Sequence, residues 1–134
     1  MDSCLFCKII KGEIPCYKVY EDEYTIAFLD ISKDIDGHTL VLPKKHFKNI
    51  LDVDDETLKH VIETVKLVSK NYTTNCGFNG INIINNNEEC AEQSIPHLHI
   101  HILPRKDNDN YKVFPSLSGA KHSLEDNLEK LRIN

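Results

Sequence analysis

The stretch Ser94–Pro104, SIPHLHIHILP, is the feature that most limits what this chain can fold into. It places His97, His99 and His101 at alternate positions of an otherwise apolar run. Strand side chains alternate between two faces, so a strand puts all three imidazoles on one face, about 6.6 Å apart in succession. A helix would spread them around its axis, at roughly 100° per residue. The β-branched content and the closing proline also favour a strand with one aliphatic face and one histidine face.

The histidine face has three interpretations from the residues alone. The three side chains could be polar residues on a solvated strand, although strict alternation inside an aliphatic run argues against this. They could bind a metal, since His-x-His on a strand can place two imidazoles on one ion. They could also act in covalent catalysis, because neutral imidazole is a nucleophile near its usual pKa of about 6.5. The spacing does not separate the last two.

Length and composition limit the class of protein. At 134 residues, 40% hydrophobic and 28% charged, the chain fits one soluble domain with a core of its own. The net charge of -5 and the lack of a basic run argue against nucleic acid and anionic membrane as partners. We expect neither a membrane span nor a signal peptide, and an odd count of five cysteines suggests a reducing, cytoplasmic setting. Three scattered cysteines are expected to be plain thiols: Cys16, Cys76 and Cys90.

The order of the elements predicts an α+β fold with an antiparallel sheet. Apolar residues recur at helical spacing from Leu58 to Tyr72, after three acidic residues, and a shorter helix is expected near Ser123–Leu131. Turn signals bound five short strands, with one long helix between the third and the fourth. The expected strands are Tyr17–Tyr20, Tyr24–Asp30, His38–Leu42, Gly80–Asn85 and His97–Leu103. The helix positions expected to be apolar on one side are Leu58, Val61, Ile62, Val65, Val68 and Tyr72.

The surroundings of the histidine run favour a phosphate ligand. The stretch Glu92–Ser94 offers backbone N–H groups and a hydroxyl beside the histidines. A fourth histidine, His38, opens another strand after Gly37. Asp30 ends the preceding strand, where it could accept hydrogen bonds from ribose hydroxyls or only cap a turn.

Together these residues resemble the histidine triad (HIT) superfamily. The resemblance rests on GHTLVLPKKH (Gly37–His46), QSIPHLHIHILPR (Gln93–Arg105), CLFCKIIKGEIP and AFLDISKDIDGH. It extends over nearly all of residues 4–105, leaves 106–134 as a C-terminal extension, and implies a single HIT domain over 1–134. It also implies a five-stranded antiparallel sheet with one long helix and short terminal helices, joined across a homodimer into a continuous sheet.

The resemblance further implies hydrolysis or transfer at the α-phosphate of a nucleotide. His99 matches the nucleophile that forms a nucleotidyl-histidine, His101 the histidine that hydrogen-bonds the phosphate, and His38 the residue that supports the triad. Ser94 matches the residue that contacts the phosphate and helps to protonate the leaving group. Asp30 matches the ribose-binding acid.

Other positions match the family's nucleotide site. Gln93 matches the Gln of the phosphate loop. Asn86 matches the family's loop asparagine, with Asn85 and Asn87 as the adjacent alternatives in the same run. Two residues depart from the family pattern. Glu92 stands where glycine is common, and its carboxylate would repel a phosphate unless it turns outward. Pro96 before the triad removes one backbone donor. The positions matching those that sandwich the base are Phe6, Ile9, Phe28, Leu29, Ile31 and Leu40.

A metal site is implied in the same way. Cys4 and Cys7 form a CxxC pair that by itself fits buried thiols or a redox pair. A closed structural zinc site needs about four ligands. Bacterial-type members of the family build one from this CxxC, the histidine matching His46 and the first triad histidine, His97. The resemblance therefore implies structural zinc and no organic cofactor.

The expected activity is hydrolysis of purine nucleoside phosphoramidates to a monophosphate and an amine, with a purine nucleotide as ligand. One alternative is a dinucleoside polyphosphate hydrolase, which would need extra positive charge. Others are a nucleotide-binding regulatory dimer with incidental turnover and a histidine-based metallohydrolase. The candidates for the extra charge are Lys44, Lys45, Arg105 and Lys106.

Overall fold

A five-stranded antiparallel sheet, in the order β1-β2-β3-β5-β4, organises the chain in a computed structural model that describes residues 3–134. A short 3-10 helix lies at Glu89–Ala91. The strands are β1 Lys18–Glu21, β2 Thr25–Leu29, β3 Thr39–Pro43, β4 Gly80–Ile84 and β5 Ile100–Arg105. The α-helices are α1 Leu5–Ile10, α2 Asp55–Asn75 and α3 Leu124–Leu131. The predicted α+β class, antiparallel sheet and single long helix are confirmed.

The histidine strand is shorter than predicted. Sheet pairing of β5 begins at Ile100, not at His97. The preceding segment has other partners, because the N–H of His97 donates to Ile95 and that of Leu98 donates to Phe47. The predicted alternation nevertheless persists, since the aliphatic residues Leu98, Ile100 and Ile102 are all buried.

Helix α2 covers one face of the sheet. It begins where the Asp54 side chain accepts a hydrogen bond from the N–H of Thr57, and acidic residues follow in the first turn. Its buried apolar residues recur at helical spacing and pack against apolar residues of the sheet in one cluster. The helix contributes Val61, Val65, Val68 and Tyr72, and the sheet contributes Ala27, Val41, Ile100 and Ile102. Ile62, on the predicted apolar side of the helix, is 50% exposed, because it lies at the margin of the contact between α2 and the sheet, in a groove with Ile83 of β4.

The opposite face of the sheet is covered by the short N-terminal helix α1. Cys4 caps this helix, and its Sγ accepts a hydrogen bond from the N–H of Cys7. Phe6 packs edge-on against Phe28, with 5.7 Å between ring centroids. A second core cluster on this face contains Cys4, Phe6, Cys7, Ile26, Phe28, Leu40 and Leu42. The histidines therefore share a face of the sheet with the N-terminus, away from α2.

The segment 106–134 leaves the sheet after β5 and ends in α3, close to the predicted span. The Ser123 side chain caps α3 by accepting a hydrogen bond from the N–H of Asp126. The apolar stripe of α3 is largely exposed, as Leu128 at 61% illustrates. The division into a core at about 4–105 and an extension at 106–134 remains a prediction. Within residues 3–134, no helix has the length and apolar character needed to cross a membrane.

Gly37 positions His38, and replacing it should be more costly than replacing a glycine of similar backbone conformation. Gly37 has φ +79°, and an added Cβ would lie 2.9 Å from Pro104 Cγ. Gly12 has φ +81°, but a Cβ there would meet nothing within 4 Å. We expect Gly12→Ala to lower the free energy of unfolding by about 1 kcal/mol, from backbone strain alone. Gly37→Ala should lower it by a further ~1–3 kcal/mol through overpacking.

Urea unfolding followed by tyrosine fluorescence measures both losses, since the chain has no tryptophan. An equal loss in the two variants would show that the contact with Pro104 is relieved without cost.

Candidate active site and metal centre

Two cysteines and two histidines converge on one point beneath α1. The Nδ1 of His97 lies 3.4 Å from Cys4 Sγ and 3.6 Å from Cys7 Sγ. The Nδ1 of His46 lies 3.3 Å from Cys7 Sγ and 3.1 Å from the Nδ1 of His97. All four ligand atoms lie within 4.8 Å of one another. These are the four residues that the sequence predicted, and together they could hold a metal ion.

The protonation chemistry of this cluster suits a cation. Burial lowers the pKa of His97 to about 4, so its ring is neutral and its Nδ1 can act as a ligand. The Nε2 of His97 lies 2.9 Å from the carbonyl of Pro43, to which it donates, and this leaves the lone pair on Nδ1. Burial raises the pKa of the Cys7 thiol to about 11, and the adjacent Cys4 adds to the effect. A positive charge at the centre would reverse that preference and favour the thiolate.

The tautomer of His99 is fixed by the backbone. Its Nδ1 lies 2.7 Å from the carbonyl oxygen of His97. Because a carbonyl only accepts, Nδ1 carries the proton and Nε2 carries the lone pair. Burial lowers the pKa of His99, which keeps the ring neutral. Phe6 packs edge-on against the ring, at 5.1 Å between centroids, so His99 is held both in its tautomer and in its orientation.

His101 and His38 form a hydrogen-bonded pair. The Nδ1 of His101 lies 2.9 Å from the Nε2 of His38, which also lies 3.7 Å from Asp30 Oδ2. On its other side, the Nδ1 of His38 lies 2.8 Å from Asp34 Oδ1. The rings of His99 and His101 are neighbours, at 5.0 Å between centroids. Burial lowers the pKa of His101 to about 4, with His99 and His38 adding to the effect.

A mostly apolar cavity of about 260 Å³ lies between α1 and the sheet, and Phe6 in its wall packs against the ring of His99. Asp30 lies at its edge as a polar group among apolar ones. The volume is somewhat below the range of about 300–1,000 Å³ that is typical of sites for drug-sized ligands. The six residues predicted to sandwich the base all line it: Phe6, Ile9, Phe28, Leu29, Ile31 and Leu40.

Of the three consecutive asparagines, Asn85 contacts the predicted nucleophile. Its Nδ2 donates to the carbonyl of His99 at 2.9 Å. Asn87 donates to Asn85 and accepts from the backbone N–H of Ile50. Asn86, the residue predicted from the resemblance, is half-buried between them in the chain, and its role in nucleotide binding remains a prediction.

Gln93 holds the loop before the histidines in place. Its Nε2 donates to the carbonyls of Lys48 and Ile95, at 2.7 Å and 3.0 Å. Its Oε1 accepts from the N–H of Glu88 and from the side chain of Asn49, which is itself buried. The side-chain amide is therefore fully used, and a phosphate contact by Gln93 would need its backbone.

The backbone donors expected at Glu92–Ser94 are mostly occupied within the loop. The N–H of Glu92 donates to Glu89, and that of Gln93 donates to Glu88. Among residues 3–134, no backbone or side-chain acceptor takes the N–H of Ser94, whose hydroxyl is also exposed. Ser94 is thus the residue of this segment best able to contact a phosphate.

Two residues of this loop have backbone conformations that are strained for side chains other than glycine. Glu88 has φ 78° and ψ 157°, a region populated almost only by glycine, and Glu92 has φ 70° in the left-handed region. The Glu92 carboxylate is exposed, and the Glu88 carboxylate contacts Lys48 and Asn49. Glu92 thus takes up a conformation that favours glycine, the residue common at this position in the family.

The cations considered for a longer polyphosphate are engaged elsewhere. Arg105 pairs with Asp109 at 2.6 Å and donates to Asn82. Lys44 pairs with Glu21 at 2.8 Å. Lys106 lies over the ring of Phe78, and Lys45 over the ring of Phe47.

Several site residues were not predicted from the sequence. Asp34 has no apolar period or motif to mark it, and Asn49 lies far along the chain from the loop that it supports. The cavity also includes residues that the resemblance did not single out, namely Leu5, Ile14, Pro15, Cys16, Tyr17 and Ile95. For Ile14 and Pro15, the sequence does carry a signal, because the isoleucine-rich segment KIIKGEIP follows directly after the CxxC pair.

The family model of the HIT domain matches residues 11–108, so the chain belongs to the HIT family. An uncharacterized HIT-like protein of Methanocaldococcus jannaschii is 48% identical over 114 residues, covering 82% of this chain and 84% of that protein. The adenosine 5'-monophosphoramidase of Schizosaccharomyces pombe is 41% identical over 109 residues, covering 81% of this chain and 78% of that protein. The predicted family and the prediction of a HIT-family enzyme are confirmed.

Solved structures agree with the fold. A HIT family protein from Bacillus subtilis superimposes with a TM-score of 0.82 at 37% identity, covering 98% of this chain and 99% of that one. A zinc-bound histidine triad family protein from Mycobacterium smegmatis gives a TM-score of 0.78 at 34% identity, covering 81% and 79% of the two chains. The predicted HIT-like fold is confirmed.

The lowered pKa of His101 predicts a pH-dependent contribution to stability. In the unfolded chain a histidine binds its proton near pH 6.5, whereas folded His101 does so only near pH 4. Between these values the unfolded state binds more protons, so the free energy of unfolding falls as the pH is lowered from 6.5 to 4. After a discount for partial solvent screening, we expect about 1–2 kcal/mol from this residue.

Urea unfolding of the wild type and of His101→Gln, at several pH values between 7 and 4.5, isolates this contribution. The wild type should lose more stability than the variant as the pH falls. Parallel curves for the two proteins would contradict the assignment.

Proposed function

We propose that this protein hydrolyses purine nucleoside phosphoramidates at the α-phosphate, through a nucleotidyl intermediate on His99. The observation that carries the proposal is the 2.7 Å hydrogen bond from His99 Nδ1 to the carbonyl of His97, which leaves the lone pair on Nε2. Phe6 packs against this ring and also lines the apolar cavity. The adenosine 5'-monophosphoramidase of S. pombe, 41% identical, supports an adenosine phosphoramidate as substrate.

The reaction divides into two displacements at phosphorus. In the first, His99 Nε2 forms a bond to phosphorus while the P–N bond to the amine breaks, and the amine leaves after taking up a proton. In the second, water attacks phosphorus and the bond to Nε2 breaks, which yields the monophosphate and neutral His99. The fixed tautomer supports both steps, since the carbonyl of His97 stabilises the imidazolium-like intermediate through Nδ1–H.

Other residues fit defined roles around this phosphorus. Phe6 and Phe28 would contact the base within the cavity, and Asp30 at its edge would accept hydrogen bonds from the ribose. Ser94 is exposed, and its N–H has no acceptor within the described residues 3–134, so it would contact the phosphate and help to protonate the leaving amine. His101 would donate to a phosphoryl oxygen, supported by His38.

Removal of the nucleophile should abolish turnover. We expect His99→Ala to lower kcat/KM for an adenosine phosphoramidate by at least about 10³-fold, because the variant lacks the nitrogen that would form the bond to phosphorus. His122→Ala is the control, since His122 is exposed and contributes to neither the triad nor the metal cluster. Release of the monophosphate, followed by chromatography, measures both.

Equal rates in His99→Ala and the wild type would rule out His99 as nucleophile. Tight nucleotide binding without wild-type turnover would favour a binding protein over an enzyme. Turnover of dinucleoside polyphosphates alone would favour the polyphosphate hydrolase.

We further propose that the Cys4, Cys7, His46 and His97 cluster holds structural zinc. Tetrahedral zinc with two sulfur and two nitrogen ligands requires roughly 3.3–3.8 Å between neighbouring ligand atoms. Four of the six separations are 3.1–3.6 Å and all six are within 4.8 Å, so the four side chains are already gathered at close to the spacing that a tetrahedral ion needs. Four protein ligands leave no open position, so the ion would stabilise the fold and would not activate water.

Loss of one ligand should release the metal. We expect the wild type to carry about one zinc per chain and Cys4→Ser to carry much less, with a lower thermal midpoint. Cys76→Ser serves as the control, because Cys76 is an exposed thiol outside the cluster. Atomic absorption and thermal unfolding report the outcome independently of activity. Full zinc content in Cys4→Ser would contradict this ligand set.

We also propose a homodimer that joins two sheets through β4. This strand lies at the sheet edge with only β5 as neighbour, so its outer backbone groups are free to pair. Ile83 on β4 is 55% exposed and shares an apolar groove with the exposed Ile62 of α2. A second copy related by a two-fold axis would cover both residues at once.

A charge in this groove should separate the subunits. We expect the wild type to sediment at twice its chain mass of 15.4 kDa, and Ile83→Asp to sediment as a monomer at micromolar concentration. Val19→Asp on the opposite edge strand β1 is the control and should remain dimeric. A dimeric Ile83→Asp variant would move the interface elsewhere.

A further inference from the structure

We propose that Asp34 is a positioning residue that keeps His38 doubly protonated, so that His101 presents an Nε2–H donor to the phosphoryl group. The proposal rests on the proposed function, because it assigns a proton to a residue of that same site. Asp34 lies in the loop between β2 and β3, and the family resemblance gave it no role.

The geometry is a chain of three side chains. Asp34 Oδ1 lies 2.8 Å from the Nδ1 of His38, and the Nε2 of His38 lies 2.9 Å from the Nδ1 of His101. Both distances are within hydrogen-bond range. His38 itself is buried, at 8% exposure, so its ring has little water with which to exchange these partners.

Counting protons defines two states of this chain. In the first, His38 carries a proton only on Nδ1, which donates to Asp34, and its Nε2 accepts from His101 Nδ1–H. The Nε2 of His101 then carries a lone pair, which would repel a phosphoryl oxygen. In the second state the pair has one more proton. His38 then donates from both nitrogens, to Asp34 and to His101, and the His101 proton lies on Nε2, where it can donate to the phosphate.

The surroundings place the additional proton on His38 and not on His101. Two carboxylates face His38: Asp34 at 2.8 Å, and Asp30 at 3.7 Å from the end of β2. His101 has the ring of His99 as a neighbour, and Asp30 lies within 4.8 Å of one of its nitrogens. Burial, His99 and His38 lower the pKa of His101 to about 4, although Asp30 and Asp34 act in the opposite direction. The direct 2.8 Å contact with Asp34 belongs to His38 alone, and it favours the imidazolium on His38.

Asp34 is well suited to this role because it is not needed for packing. Its side chain is 55% exposed, and it lies in a loop with two other acids, Asp30 and Asp36. Of the three, Asp34 approaches the Nδ1 of His38 most closely, and Asp36 is exposed without a hydrogen bond to a histidine among the residues described. Asp36 therefore offers a matched control.

The first experiment is the pH profile of kcat/KM for an adenosine phosphoramidate in the wild type, Asp34→Asn and Asp36→Asn. The doubly protonated pair is lost as the pH rises, so it governs the alkaline limb. Asp34→Asn keeps an oxygen that accepts from His38 Nδ1–H but removes the charge, and should move the midpoint of that limb to lower pH by about one unit. Asp36→Asn should match the wild type. An unmoved midpoint in Asp34→Asn would overturn the proposal.

The second experiment needs no substrate and separates this proposal from the proposed function. Side-chain ¹⁵N NMR of the zinc-loaded protein reports which nitrogens of His38 and His101 carry protons. On acidification of the wild type, His38 should become doubly protonated while the His101 proton moves from Nδ1 to Nε2, and Asp34→Asn should show this transition at lower pH. If the wild type does not turn over the phosphoramidate, the proposed function fails, but this titration still tests the role of Asp34. A transition at the same pH in both proteins would overturn the role of Asp34.

Discussion

His97 connects the two parts of the site through three different groups. Its Nδ1 faces Cys4 and Cys7, its Nε2 donates to the carbonyl of Pro43 at the end of β3, and its carbonyl accepts the proton of His99 Nδ1. The cluster beneath α1 and the tautomer of His99 therefore depend on the placement of one backbone unit. A displacement of His97 would disturb the candidate metal centre and the candidate nucleophile together.

One face of the sheet carries the hydrophobic core, and the opposite face carries the candidate catalytic residues. On one face, α2 buries aliphatic residues against Val41 and Ile102, which gives a core that contains none of the triad histidines. On the other face, α1 brings Phe6 over His99 and forms one wall of the apolar cavity. Because α1 has only six residues, contacts beyond its own hydrogen bonds must hold it, and the cysteines at its start supply them.

Two kinds of structural feature can be predicted from the sequence: those with a repeating pattern of residues, and those that involve residues close together in the chain. The alternation in β5 is visible because a strand has a period of two, and Ser123 and Asp54 mark helix starts because a cap is a local interaction. The resemblance located the four residues of the cluster. The partnership of Asp34 with His38 depends on the path of a loop, and that of Asn49 with Gln93 spans 44 positions. Neither leaves a periodic signal. The predicted start of β5 at His97 is too early. The N–H of Leu98 donates to the carbonyl of Phe47, and not to a neighbouring strand, and the sequence does not indicate this contact.

The amide of Gln93 has a consequence for motion near the phosphate. Four separate hydrogen bonds on one side chain connect the backbone of Lys48, Glu88 and Ile95 with the side chain of Asn49. If Gln93 leaves its position, all four are lost together, so the segment cannot loosen one residue at a time. Such a segment opens as a single cooperative unit, with one free energy of opening below that of global unfolding. The N–H of Glu88, which donates to Gln93, and the loop amides of Ala91, Glu92 and Gln93 should consequently show one common free energy of opening in hydrogen exchange.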